Sequence, residues 1–511
     1  MRPYPNRRAF LSIGAGALLT ASRCASRRAE RPNILFALSD DVSWCHAGAY
    51  GDHVVQTPVF DRVAREGVLF TQSYCASPSC TPSRSSILTG QQMWRLEEGG
   101  LLFGTLPAKF DVFPLMLEQA GYHVGYTGDK GWGPGDYTAG GRTRDPFGTA
   151  YNSRRTGAIN VDPKLDAAAG GISTLDYAAN FRDFLAARPP GRPFFFFFSA
   201  GEPHRPYRKG SGVASGKRIE DVQVPPFLPD SEEIRGDILD YYVEVEWFDS
   251  HCGSMMRSIE EAGELDNTLV VMTSDNGMPF PRAKTTLYDW GVRMPLAVRW
   301  PARVSGGRVV DDFVSHTDFA PTFLELSGLS AAPGTTGRSL VSLLTAAGGG
   351  FVDPARQRVF TGIERHTWCR PHGLPYPSRM IRDHRFLYVH NYEPDRWPAG
   401  DPDFDSPHQG FYGDVDNSPT KSFMIANAGR YPREFRLAFG KRPAEELYDV
   451  DADPGQMNNL AASPEHADTR SRLRADLDAY LAETADPRSH GQSPWDHYPY
   501  YFGDLDPRRH R

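Results

Sequence analysis

Three unbroken apolar runs mark the first 280 or so residues of the chain, and each ends in a cluster of polar side chains. Asn33-Ile-Leu-Phe-Ala-Leu38 leads into Ser39-Asp40-Asp41, and Phe194 to Phe198 leads into Ser199-Ala-Gly-Glu-Pro203-His204. Thr268-Leu-Val-Val-Met-Thr273 leads into Ser274-Asp275-Asn276-Gly277. A run with no polar alternation is a strand covered on both faces, which is the habit of parallel sheets. Helical periodicity intervenes over 59–66, 112–120, 177–187 and 234–262. Strands alternating with helices predict an α/β fold, a mostly parallel sheet flanked by helices. Ligands of such sheets bind beyond the carboxyl ends of the strands. All three polar clusters fall at those ends.

The glycine run Gly348–Gly350 marks an expected boundary, with a large domain over 30–350 and a smaller one over 351–511. In the latter, 385–389 and 446–449 read as strands and 471–483 as an amphipathic helix. The last twenty or so residues have no period and are expected to wrap the surface. Composition changes little: 40% hydrophobic and 23% charged residues are ordinary for a globular enzyme. A net charge of −7 with no basic stripe argues against a nucleic-acid partner, while leaving room for a locally cationic pocket. Residues 1–28 resemble a twin-arginine export signal: Asn6-Arg7-Arg8-Ala9-Phe10-Leu11, then the apolar run 13–19, too short to span a bilayer. Arg23 stands where a lipidated Cys24 would need a small residue. The expected location is therefore periplasmic or secreted, with no membrane span. Cysteines 45, 75, 252 and 369 could pair; the sequence does not decide whether they do.

The acidic clusters carry the first chemistry. Asp40, Asp41, Asp275 and Asn276 offer hard oxygen ligands at two strand ends, which favours Ca²⁺ or Mg²⁺ over zinc, and calcium where a loop-built site is mostly carboxylate. Taken singly, Asp-Asp also reads as a helix cap and Asp-Asn-Gly as a turn.

Residues 80 to 90 read Cys-Thr-Pro-Ser-Arg-Ser-Ser-Ile-Leu-Thr-Gly. Cys80, Pro82, Arg84 and Leu88-Thr89-Gly90 resemble the formylglycine motif of the type I sulfatases. Also similar are Arg31-Pro-Asn-Ile-Leu with Asp40-Asp41, Pro203-His204-Arg205-Pro206 and Ser274-Asp275-Asn276-Gly277. Gly291-Val-Arg-Met-Pro295, His316-Thr-Asp318-Phe-Ala-Pro321-Thr322 and Glu446-Leu-Tyr-Asp449 extend the resemblance over residues 31 to about 460. It implies an alkaline-phosphatase-like fold with a small C-terminal antiparallel-sheet subdomain. It also implies that a maturation enzyme oxidises Cys80 to formylglycine, whose hydrate attacks sulfur. On the same resemblance Asp40, Asp41, Asp275 and Asn276 hold Ca²⁺, Arg84 orients the hydrated aldehyde, and Lys130 and Lys284 contact the sulfo group. His204 matches the histidine beside the leaving group.

One position departs from the family: Lys-x-His is usual where this chain has Lys130-Gly-Trp132. Within the family, Ser274–Pro281 with Thr286-Leu-Tyr288, Val224–Pro229 and Arg385–Asn391 are similar to the N-sulfoglucosamine sulfohydrolase branch. Lys284 differs there, since arginine-type usage marks that branch's loop. The resemblance implies a sulfated saccharide substrate, N-sulfoglucosamine of heparin or heparan type. His366, His372 and Arg379 are candidates for contacts to it from the second subdomain. Competing readings are an O-sulfatase on another glycan such as an algal one, a phosphoesterase of the same superfold, and a non-catalytic glycan-binding relative.

Overall fold

The computed structural model describes residues 31–128, 131–156 and 171–510. The export segment over 1–28 and Lys130 lie outside the described residues. Residues 32–511 group as one compact unit.

Its centre is an eight-stranded sheet built from β1 (Asn33–Ser39), β2 (Val68–Phe70), β4 (His123–Thr127), β5 (Thr149–Ala150), β6 (Phe194–Ser199), β7 (Thr268–Ser274), β8 (Leu296–Arg299) and β9 (Arg308–Val310). The order is β5-β4-β6-β1-β7-β8-β2-β9. All pairings are parallel except those of β8, which runs antiparallel to both β7 and β2. The two-stranded parallel pair β3 (Ser73–Tyr74) and β10 (Val314–Ser315) stands apart. The three apolar runs are the three central strands, β6, β1 and β7. Their alternate residues feed two cores. Ile34, Phe36, Leu38, Phe195, Phe197, Leu269 and Val271 face one. Leu35, Ala37, Phe194, Phe196, Phe198, Val270 and Met272 face the other. Continuous hydrophobicity in sequence is thus burial on both faces in space.

Helices cover the sheet: α1 (Pro58–Glu66), α2 (Cys80–Thr89), α3 (Phe113–Gln119), α4 (Tyr177–Ala187), the short α5 (Ser211–Ala214) and α6 (Glu232–Glu261). The long α6 is capped by Ser231, whose side chain accepts from Ile234 N, with Glu232 and Glu233 in its first turn.

A second, antiparallel sheet joins β11 (Arg358–Ile363), β12 (Ser378–Asp383), β13 (Phe386–Asn391) and β14 (Glu445–Asp449) in that order. Val359, Met380, Leu387 and Tyr448 from it share one core with Tyr74, Leu287, Val292 and Met294. The final helix begins at Ala467, before the expected 471. Most residues of the tail beyond it are exposed or half-buried, and Trp495, fully buried, and Tyr500, nearly so, anchor it in apolar space. Cys45, Cys75, Cys80, Cys252 and Cys369 are all free thiols.

Phe197 is fully buried, stacked on Phe147 at 3.8 Å and 5.5 Å from Phe36. Phe197→Ala should lower stability by about 3–5 kcal/mol, the usual cost of an emptied aromatic site. A urea midpoint equal to wild type would overturn this account of the core.

Candidate active site

The site grows out of the register of β1 and β7. Ser39 pairs with Ser274 as the last rung, so Asp40-Asp41 and Asp275-Asn276 leave the sheet side by side. Asp41 turns at φ +77°, a left-handed conformation that aspartate tolerates better than most residues. Its N–H donates to Asp275 Oδ1 at 3.1 Å, as does that of Asn276 at 2.8 Å.

Cys80 is the first residue of α2, a helix whose ten residues are all buried and whose end is closed by Gly90 at φ +68°. The positive end of the helix therefore points at the acidic cluster, a setting suited to an anion. Cys80 Sγ lies 3.4 Å from Asp40 Oδ1. Ligand atoms of Asp40, Cys80 and Asp275 fall within 4.8 Å of one another. One turn on, Arg84 Nε donates to Asp275 Oδ2 at 2.7 Å, Nη1 to Ser199 Oγ at 2.7 Å, and Nη2 lies 3.4 Å from Asp40 Oδ2. Lys284 Nζ sits 2.7 Å from Asp41 Oδ2 and 3.3 Å from Asp416 Oδ2. Its loop is held by Lys284 N to Met278 O and Thr285 N to Pro78 O, with Arg282 and Thr285 both at positive φ. A β-branched residue in that region stores strain, a habit of functional loops.

The electrostatics follow from burial. Burial raises the Asp275 carboxyl to about 6, Asp40 adds to this, and Arg84 opposes both. Burial also raises Asp41 well above the usual carboxylate range against the pull of Lys284. Lys284 is lowered by burial, yet Asp41 and Asp416 more than offset this and carry it well above an ordinary lysine. The Cys80 thiol is pushed well up by burial and then by Asp40.

The oxygen set fits a metal. Asn276 Nδ2 donates to Asp41 Oδ1 at 2.6 Å and to Gly277 O at 3.1 Å, which fixes the amide and leaves Oδ1 buried without a hydrogen-bond partner. A buried carbonyl left unmade costs about 1–3 kcal/mol. A hard cation held among these carboxylates would satisfy it.

The other candidates separate. His204 is part-buried, and its Nδ1 lies 2.7 Å from Arg205 O. A carbonyl only accepts, so Nδ1 carries the hydrogen and Nε2 is the nitrogen that exchanges a proton. His366 joins the site: its Nδ1 is 2.8 Å from Ser79 Oγ, one residue from Cys80, and burial lowers it to about 4. Trp132, at the family's histidine position, is a buried core residue. His372 is exposed on the turn Pro371–Gly373. Arg379 is a correction. It is fully buried on β12, bonded to Asp486 and Glu364 at 2.8 Å each, between Trp94 and Trp495. Its register partner is Gly362, where a Cβ would stand 2.8 Å from Arg379 Cδ. Its donors are spent inside the fold.

Asp416 escaped the sequence reading. Burial opposes its ionisation, but Lys284, His204, His366 and Arg205 outweigh this and hold its carboxyl well below the usual range. The signal would have been Asp414-Val-Asp416 in a loop rich in glycine, too common a pattern to single out.

The family described as Sulfatase matches residues 32–329, and the one described as N-sulphoglucosamine sulphohydrolase, C-terminal, matches 282–408. The chain belongs to the sulfatase family. It is 31% identical to human N-sulphoglucosamine sulphohydrolase over 504 residues, covering 90% of this chain and 92% of that protein. It is 25% identical to an ulvan-active sulfatase of Formosa agariphila, covering 89% and 76%. A solved structure in complex with its substrate D-glucosamine-2-N,6-O-disulfate superposes with TM-score 0.64 at 20% identity, over 91% of this chain and all of the other. A phosphonate monoester hydrolase of Agrobacterium radiobacter shares the fold at TM-score 0.63 and 20% identity, over 89% and 97%. As a sulfatase, the chain is a sulfuric ester or sulfamate hydrolase. Among the described residues no helix is long and apolar enough to cross a membrane.

Arg379→Ala takes the guanidinium partner from buried Asp486 and leaves Glu364 with Arg488 alone, and should cost about 3–5 kcal/mol. The variant should unfold at lower temperature while its KM, measured well below that transition, stays at the wild-type value. A raised KM without lost stability would return Arg379 to the substrate site.

Proposed function

We propose that this sulfatase is an exported, calcium-dependent enzyme, matured at Cys80, that removes the sulfo group of N-sulfoglucosamine in a heparin- or heparan-type saccharide. The observation that carries the reading is the meeting of Cys80, Arg84 and Lys284 with four oxygen ligands at one sheet end. Identity with human N-sulphoglucosamine sulphohydrolase along nearly the whole chain supports the substrate class. Export rests on the pattern of residues 1–28 and implies a periplasmic or secreted protein met by a formylglycine-generating enzyme.

A buried thiol beside a carboxylate is a poor nucleophile at neutral pH, because burial and Asp40 both disfavour its thiolate. An oxidised, hydrated aldehyde at position 80 supplies instead one oxygen to attack sulfur and a second to expel sulfate. Asp40, Asp41, Asp275 and Asn276 would hold Ca²⁺, which supplies positive charge toward the sulfo oxygens. Arg84 and Lys284 bring fixed cations to the same oxygens, and a water-poor site makes each worth on the order of 10²–10³ in rate. Lys130 is a further candidate for that set, on its place in the family motif. His204 Nε2 gives its proton to the departing nitrogen, so that the N–S bond releases a free amine. His366, held by Ser79 next to position 80, stands in for the histidine that the family has where this chain has Trp132.

In protein purified from its own organism, the peptide containing Cys80 should be lighter than encoded by the difference between a thiol and an aldehyde side chain. Only unmodified cysteine there would overturn the maturation. Asp275→Ala should reduce bound calcium and activity together. His204→Ala should depress kcat on the order of 10²–10⁴, the range of general acid–base catalysis, while KM survives. Purified enzyme should release sulfate from N-sulfoglucosamine at a chain end. Release from O-sulfated sugars alone, ulvan-type glycans included, would overturn the N-sulfo assignment and leave the sulfatase standing.

A further inference from the structure

The chain beyond residue 408 lies outside both family matches, yet its end returns to the nucleophile. Cys80, Leu102, Phe103 and Tyr500 form one apolar cluster, with Trp368 and Leu505 packed against it. Two clamps hold the tail there. Arg365, almost fully buried, donates Nη1 to Tyr498 O at 3.0 Å and Nη2 to Pro499 O at 2.7 Å. Tyr501 N donates to Phe103 O at 3.0 Å. Arg365 directly precedes His366, so the segment that brings an imidazole beside Cys80 also fixes the tail.

The aromatic rings are arranged in depth. Phe103 is nearly buried and sits at φ +53°, an outlier for a bulky residue that persists only where its surroundings enforce it. Its ring is stacked with Phe502 at 4.3 Å and meets Tyr500 and His408 edge-on at 5.3 and 5.4 Å. His408 in turn meets Phe502 at 4.7 Å. Phe502 remains 40% exposed, although an aromatic of that size is usually covered in a monomer. One side of Cys80 is thus acidic and charged, and the other is apolar, with the donors of the neighbouring Arg365 turned to the tail backbone. A pyranose has that same division, with oxygens at its rim and C–H bonds across its face. Binding pockets pair a few fixed polar groups with aromatic walls in this manner.

We propose that Phe502 of the C-terminal tail and the half-buried His408, backed by the buried rings of Phe103 and Tyr500, form the saccharide-binding wall of the active site, receiving the apolar face of the sugar whose sulfo group lies at position 80. This rests on the saccharide reading of the site. The wall contributes recognition of the sugar ring, and the charged cluster recognises the sulfo group independently.

The independence gives the test, made on the mature full-length enzyme. Phe502→Ala should raise KM for the sulfated saccharide by about tenfold, equivalent to about 1.4 kcal/mol, with kcat within about twofold. The inhibition constant of inorganic sulfate, which reads only the charged cluster, should stay unchanged. Phe502→Trp, which keeps a stacking face, should keep the wild-type KM. Tyr500→Phe, which keeps the ring, should do likewise. Equal KM in wild type and Phe502→Ala would overturn the wall, as would a parallel rise in KM and sulfate inhibition constant. Wild-type enzyme that releases no sulfate from any saccharide would instead overturn the functional reading beneath it.

Discussion

Three carboxylates beyond β1 and β7 set the terms for the rest of the site. The register that ends on Ser39 and Ser274 leaves Asp40, Asp41 and Asp275 no way to avoid one another, and two of them are fully buried. Like charges in a poorly solvated place are costly, and removing one partner of such a group costs more than the pair contributes. The fold answers with two cations from separate elements: Arg84 from the second turn of α2, and Lys284 from a strained loop. Both cations reach the same acidic cluster. The interaction that lets the acids be buried therefore also gathers fixed positive charge at the end of the sheet.

The antiparallel sheet and the segments around it complete what the main sheet begins. Ser79 at the head of α2 meets His366, and Lys284 meets Asp416, each across a long sequence separation. Thr285 Oγ1 donates to Asp414 O at 3.1 Å, and Asp414 accepts from Thr367 N and Arg370. The lysine loop, the histidine segment and the aspartate loop are thus bonded to one another before any ligand arrives. Preorganisation of this kind is what electrostatic catalysis requires, since donors already aimed need not reorganise during reaction.

What could be read in the sequence follows a physical line. Buried parallel strands announce themselves because both faces are apolar, so β1, β6 and β7 were legible to within a residue or two, and so were the polar clusters at their ends. Cys80 and Arg84 stood out because the run that resembles a maturation motif is local and dense, and the fold brings both to the acidic cluster. Asp416 was not, because its meaning depends on Lys284 and on loops that only the tertiary fold brings together. Arg379 misled for the opposite reason: an arginine near a histidine-rich segment suggests anion binding, and only the facing Gly362 and the distant Asp486 reveal an internal ion pair. The tail runs mostly along the surface, as its lack of period suggests, but nothing in the sequence marks Trp495 and Tyr500 as the rings that anchor it.

Charge balance favours a divalent ion at this place. Asp40, Asp41, Asp275 and Asp416 stand around Arg84 and Lys284, so four carboxylates are set against two cations. Fully ionised, the group carries a net negative charge and would repel a sulfo group at contact distance, where low dielectric makes repulsion strong. Burial first, and the neighbouring aspartates after it, raise the pKa values of Asp41 and Asp275. Protonating the acids would relieve the repulsion but would spoil them as ligands. A single divalent cation would relieve it with the carboxylates ionised, and the unmet Asn276 Oδ1 is among the oxygens that would hold it. With such an ion bound, Arg84 and Lys284 would no longer be the sole counter-charges to these aspartates, and their positive charge would be available to an anionic ligand.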